Sequence, residues 1–97
     1  MSIARVYQMI AADGKDQMLL EALTALERLV RPLDGCLGVE LLRDVAQTNK
    51  FLFVEKWRSV EAHKAAGPLL PKSSFGPVMQ AIAAPPESSY QEYVIGG

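Results

Sequence analysis

The stretch Asn49-Lys50-Phe51-Leu52-Phe53-Val54-Glu55-Lys56-Trp57-Arg58-Ser59-Val60-Glu61-Ala62-His63 decides how this chain folds. Lys50 to Trp57 reads as a strand with Phe51 and Phe53 on one side and Leu52 and Val54 on the other. Neither face is the polar face of a half-solvated strand, so both need cover. Ser59 is a good N-cap and Glu61 stands in the first turn, so a short helix runs from about Val60 to Ala66. The join brings the only Trp, Trp57, close to the only His, His63, at the seam between a sheet and its covering helix.

Upstream, Ile3 to Ala12 is rich in apolar and β-branched residues and reads as a first strand. Asp13-Gly14 punctuates it, with Asp13 or Asp16 available as N-cap or first-turn acid. From Lys15 to Arg31, Leu19, Leu23, Leu26 and Val30 recur at helical spacing, and Leu20 and Leu29 widen the stripe. Pro32 stops this helix and Leu33-Asp34-Gly35 turns the chain. Leu37, Val39 and Leu41 alternate with Gly38, Glu40 and Leu42 in a second strand, and Asp44 to Asn49 is a polar hairpin loop. Downstream, Gly67-Pro68 ends the helix that carries His63. Pro77 suits the first position of another short helix reaching about Ala83. Pro85-Pro86 then releases the chain into a final strand, Ser89 to Ile95.

The order β-α-β-β-α-β predicts an α+β, ferredoxin-like domain spanning residues 1–97, with helices on one face of a four-stranded antiparallel sheet. The opposite face is not polar, because Val6 and Ile10 oppose Ile3, Tyr7 and Met9 just as Leu52 and Val54 oppose the two phenylalanines. Left in water, such a face exceeds the ~300–600 Å² apolar patch usual on a monomer. Pairing through the sheet faces of two copies covers it, so a homodimer is expected.

A formal net charge of −1 and scattered Lys and Arg leave no basic stripe for nucleic acid or an anionic membrane surface. No apolar run approaches the ~18 residues of a membrane span, and the N-terminus lacks the pattern of a signal peptide. The single cysteine, Cys36, cannot close an internal disulfide, which fits a reducing cytoplasm. One His and one Cys do not make a zinc or redox-metal ligand set within the chain.

Three segments taken together resemble the antibiotic biosynthesis monooxygenase (ABM) domain family: Asp13-Gly14-Lys15, the turn Gly35-Cys36-Leu37 leading to Glu40, and Asn49 through Trp57 to Ala62-His63. The resemblance covers nearly the whole chain, and the Glu-x-Trp strand end followed by Ala-His on the next helix is its most specific part. It implies a dimeric α+β barrel with a small-molecule pocket between sheet and helices in each subunit. It also implies oxygenation of aromatic polyketides or quinols without metal or flavin, or haem breakdown in one branch. Haem is not expected here. That branch carries an Asn where this chain has Tyr7, and its iron-binding His falls where this chain has Gly67-Pro68. The run Ala65 to Pro71 also replaces a polar, His-bearing segment common in the family, which points to a more apolar pocket.

His63 is the candidate general base, since imidazole titrates near neutrality and could deprotonate a phenol or quinol; packing the helix is its other reading. Glu55 faces the same way as Trp57, and a carboxylate on an apolar face needs a partner. Arg5, Arg43 or Arg58 could pair with it, or it could orient His63. Trp57 could stack on a planar ligand, with Phe53, Tyr7 and Tyr90 beside it as further substrate-binding residues and Tyr93 as another possible pocket hydroxyl. The leading expectation is a cofactor-independent monooxygenase acting on a small aromatic or quinol-type compound. Two alternatives remain: a non-catalytic dimeric barrel that binds a small apolar ligand, and isomerase or lyase chemistry on the same fold.

Overall fold

In the computed structural model, which describes residues 2–97, strand β3 (Lys50–Trp57) lies inside a four-stranded antiparallel sheet. Its neighbours are β2 (Cys36–Arg43) and β1 (Ile3–Ile10), and β4 (Glu87–Glu92) pairs with the far side of β1, giving the order β2-β3-β1-β4. Helix α1 (Asp16–Val30) connects β1 to β2. Helices α2 (Val60–Ala66) and α3 (Gly76–Ala81), with 3-10 turns at Gly67–Leu69 and Lys72–Phe75 between them, connect β3 to β4. This is the ferredoxin-like arrangement.

The register explains the two-faced strands. Tyr7 stands opposite Phe53 and Met9 opposite Phe51, whereas Val6 stands opposite Val54 and Gln8 opposite Leu52. Phe51, Phe53, Trp57 and Met9 are buried under the helices together with Leu19, Leu23, Leu26 and Val30 of α1. On the outer face Val6, Leu52 and Val54 are half-buried and Ile10 and Leu42 exposed, with Gln8, Glu40, Lys50 and Lys56 among them.

Several boundaries differ from the sequence expectation. β1 ends at Ile10, and Ala11 forms an isolated bridge to Ile82 because α3 stops at Ala81 and the next residue is already extended. Neither Asp13 nor Asp16 caps α1. Lys15 occupies the N-cap without a side-chain bond and Asp16 supplies only first-turn charge. Leu29 lies on the exposed side of the helix rather than widening its buried stripe. A register irregularity between Cys36 and Gly38 takes Leu37 out of the alternation and leaves it 56% exposed. β4 starts two residues early and stops at Glu92, because Glu92 already faces Ile3, the first residue of β1. Tyr93 therefore leaves the sheet, so it is not a pocket hydroxyl; Lys56 Nζ sits over its ring at 5.3 Å.

Gly35 holds the turn before β2 against the start of α2. Its φ is +88°, and an added Cβ would stand 2.8 Å from the Ala62 Cβ and 3.7 Å from the Trp57 ring. Its carbonyl accepts the Arg58 backbone N–H at 2.9 Å. Gly35→Ala combines a disfavoured backbone with a clash, so a loss of about 1–3 kcal/mol is expected. Urea unfolding measures it; Gly14→Ala is the comparison, having a positive φ but open space around it.

Candidate functional site

Trp57 ends β3 and His63 lies one turn into α2. Ser59 fixes the path between them: its side chain accepts the Ala62 backbone N–H at 3.0 Å, starting the helix immediately after the strand. The two rings consequently meet edge-on, 5.4 Å between centroids at 68°. Two tyrosines close around the imidazole. The Tyr90 hydroxyl lies 2.7 Å from Nδ1 and the Tyr7 hydroxyl 3.4 Å from Nε2.

Glu55 is 4% exposed, and its partner is not an arginine. Trp57 Nε1–H donates to Glu55 Oε1 at 2.8 Å, a charge-assisted bond made possible because residues two apart on a strand share a face. The three candidate arginines are engaged elsewhere: Arg58 meets Asp34, Arg43 covers the Phe51 ring, and Arg5 lies against Tyr7 and Tyr90. Glu55 does approach His63. Oε1 stands 3.8 Å from Nε2, too long for a hydrogen bond.

Burial pushes the Glu55 carboxyl above the usual carboxylate range, against the opposing pull of the Trp57 N–H and then of the Arg5 cation. Burial likewise lowers the His63 pKa, reinforced by the positive charges of Arg5 and Lys64. Tyr7 is raised by burial first, with Arg5 pulling the other way. The result is an imidazole favoured in its neutral form beside a carboxyl that gives up its proton reluctantly.

These groups form one end of a cavity of about 270 Å³, at the small end of ligand sites, which run ~300–1,000 Å³. Tyr7, Glu55 and His63 provide its polar end. Phe53 and Trp57 line the sheet side, Leu26 and Val30 the α1 side, and Leu70, Phe75 and Met79 the segment beyond α2. Tyr90 does not line the cavity; it reaches His63 from behind. The residues from α1 and from 67–79 carry no sequence signal for this role, since their spacing is that of ordinary core. They become lining because Pro68 and Pro71 break the chain into 3-10 turns there, and a longer helix would pack differently. Burial also raises the thiol of Cys36, which packs at the start of β2 as a small apolar side chain.

Among the described residues no three His, Cys, Asp or Glu side chains converge in a group that could hold a metal ion, and no helix is long and apolar enough to cross a membrane.

The family model for antibiotic biosynthesis monooxygenase matches residues 2–66, from the start of β1 to the end of α2. Among solved structures, one from Bordetella bronchiseptica, provisionally named an antibiotic biosynthesis monooxygenase, superposes with a TM-score of 0.86. It has 19% identity over 97% of this chain and 98% of its own. One from Chloroflexus aurantiacus with the same provisional name gives 0.81 at 24% identity, over 100% and 97%. A protein from Mycobacterium tuberculosis gives 0.80 at 17% identity, over 99% and 98%. At such identities the likeness speaks for the fold alone. No curated protein matches the chain.

Proposed function

This chain belongs to the antibiotic biosynthesis monooxygenase family, and on that premise we propose that its cavity binds a small phenol or quinol and oxygenates it without metal, flavin or haem. The observation that carries this reading is the imidazole placed at the polar end of an otherwise apolar cavity, where burial lowers its pKa and so favours the neutral form. With Nδ1–H donated to the Tyr90 oxygen, the Nε2 lone pair faces the cavity. A substrate hydroxyl entering there gives its proton to Nε2, with Tyr7 and Glu55 near enough to hold the oxygen.

The chemistry then belongs to the substrate anion and dioxygen. The phenolate passes its electrons to O₂, and a hydrogen-bearing ring carbon ortho or para to the oxygen forms a C–O bond to give a hydroperoxide, protonated by His63. Loss of water, using the hydrogen on that carbon and breaking the O–O bond, leaves a quinone. One oxygen atom ends in the product and one in water. Trp57, almost fully buried and edge-on to His63, offers its ring to the substrate plane.

Oxygen uptake with a panel of phenols and quinols, in chelator and without flavin or nicotinamide, is expected to show one O₂ consumed per substrate above the autoxidation rate. Uptake equal to autoxidation across the panel overturns the reading. One observation favours a non-catalytic ligand carrier instead: Glu55 and His63 already have partners in Trp57 and Tyr90, and the lining beyond α2 is wholly apolar. A carrier would show thermal stabilisation growing with ligand concentration but no turnover.

The outer sheet face supports a homodimer in which two copies bury Val6, Leu52 and Val54 against each other, and the lone Cys36 supports a cytoplasmic setting. Sedimentation at micromolar concentration is expected to give twice the chain mass, and Val54→Lys the mass of one chain. A single-chain mass for the unmodified protein counts against the dimer.

A further inference from the structure

Arg5 stands in the middle of a row that crosses the helix side of the sheet, opposite Glu55 on β3 and opposite Tyr90 on β4. Its guanidinium carbon lies 4.3 Å from the centroid of the Tyr90 ring and 4.9 Å from that of Tyr7. Nη2 donates to Ser88 Oγ at 3.1 Å, while Nε is buried with no hydrogen-bond partner. A buried N–H without an acceptor is unfavourable. Here the cation lies against two aromatic faces, which offset part of that cost. The rings that hold Arg5 are the same two whose hydroxyls approach His63 from opposite sides.

We propose that Arg5 is the positioning residue of this site: stacked against Tyr7 and Tyr90, its guanidinium holds the two hydroxyls that fix the orientation and tautomer of His63. Arg5 does not line the cavity, so it acts through the tyrosines and through its charge rather than by touching a ligand. The groups around the imidazole are Arg5 and Tyr7 from β1, Glu55 from β3, Tyr90 from β4, and Lys64 next to it on α2; α1 and the segment 67–79 present only apolar residues to the cavity. Of the cations, Arg5 alone is also locked to two of the imidazole's partners. A planar guanidinium can stack on both rings, whereas an ammonium is a point charge. This assignment rests on the reading of His63 as the base of the site.

Because His63 is the only histidine, ¹⁵N NMR of the free full chain reports its titration and tautomer without ambiguity. In the unmodified protein the midpoint is expected below ~6.5, with one tautomer dominant. In Arg5→Met the midpoint is expected to rise toward that ordinary value and the two tautomers to mix. Arg5→Lys keeps the charge but not the stack, so it is expected to hold the midpoint low while the tautomers mix. A folded Arg5→Met protein with unchanged midpoint and tautomer overturns the proposal. Should Arg5→Met fail to fold, Arg5→Lys decides: mixed tautomers support the role and an unchanged ratio overturns it. Oxygen uptake is read separately. A chain with no turnover but an Arg5-dependent His63 loses the oxygenase reading and keeps this one.

Discussion

His63→Ala is expected to lower oxygen-dependent turnover by about 10²–10⁴-fold, the usual contribution of a positioned general base. No other group in the cavity replaces it. Tyr7 and Glu55 are the other polar lining residues; burial raises the Tyr7 pKa, so it stays a neutral phenol, and the Glu55 carboxyl is already engaged by the Trp57 N–H rather than free to take a substrate proton. If the alanine protein turns over within a few-fold of the unmodified one, His63 is a packing residue and the mechanism is wrong. The pH dependence follows from the same group. The active form is the neutral imidazole, and its pKa is lowered in the folded protein, so the acid limb of kcat/KM lies below that of a free imidazole. Stability follows with the sign this implies. Below ~6.5 the unfolded chain takes up the imidazole proton before the folded one does, so stability is lost as pH falls from there through the folded pKa. Urea unfolding across that range is expected to show this loss in the unmodified protein and a smaller one in His63→Ala.

Trp57→Ala is expected to cost about 3–5 kcal/mol, the range for removing a large aromatic side chain from a core. Trp57 is 1% exposed and is the largest fully buried side chain. It touches three things at once: the core, the His63 ring, and the Glu55 carboxylate. In a domain whose total stability is of order 5–15 kcal/mol, that leaves little margin. At ~4 °C per kcal/mol the melting temperature falls by more than about 12 °C. Trp57→Phe separates the bond from the bulk. It keeps an aromatic ring but removes the N–H, leaving a buried carboxylate short of a donor at a cost of ~1–3 kcal/mol. Because the Trp57 N–H opposes the burial-driven rise of Glu55, its loss moves the Glu55 pKa further up, which carbon-detected NMR of the carboxyl reads. An unshifted Glu55 in Trp57→Phe would mean another donor takes the place of the indole.

How much of this was legible in the chain varies by element. β3 and α2 were placed to the residue, because two-residue alternation and the Ser59 cap are signals written within a few positions of where they act. β4 was placed two residues late, since a strand's ends are set by what it pairs with, and β1 begins at Ile3. That displacement carried Tyr93 with it and removed it from the site. The partner of Glu55 differs from the arginines the sequence suggests, for a related reason. Charge points to three arginines, and Arg5 does stand opposite Glu55 across the strands, but side-chain direction decides which donor arrives, and the donor is the indole two positions along the same strand. In the sequence Arg5 stands out only as a possible mate for Glu55. Its place against two tyrosines depends on β1 lying between β3 and β4, which no local pattern states.

The sequence by itself determined the ferredoxin-like order, the apolar run of β3 on both its sides and the meeting of Trp57 with His63, because each follows from periodicity, capping or adjacency along the backbone. Only the tertiary structure decided that Glu55 leans on Trp57, that His63 is held between Tyr7 and Tyr90, and that Arg5 stands against both rings. Those contacts join residues up to 85 positions apart (Arg5 to Tyr90) through the register of three strands, and register is a property of the assembled sheet. The same strand that announced the fold therefore also frames the site, but the chemistry of that site is set by the strands on either side of it.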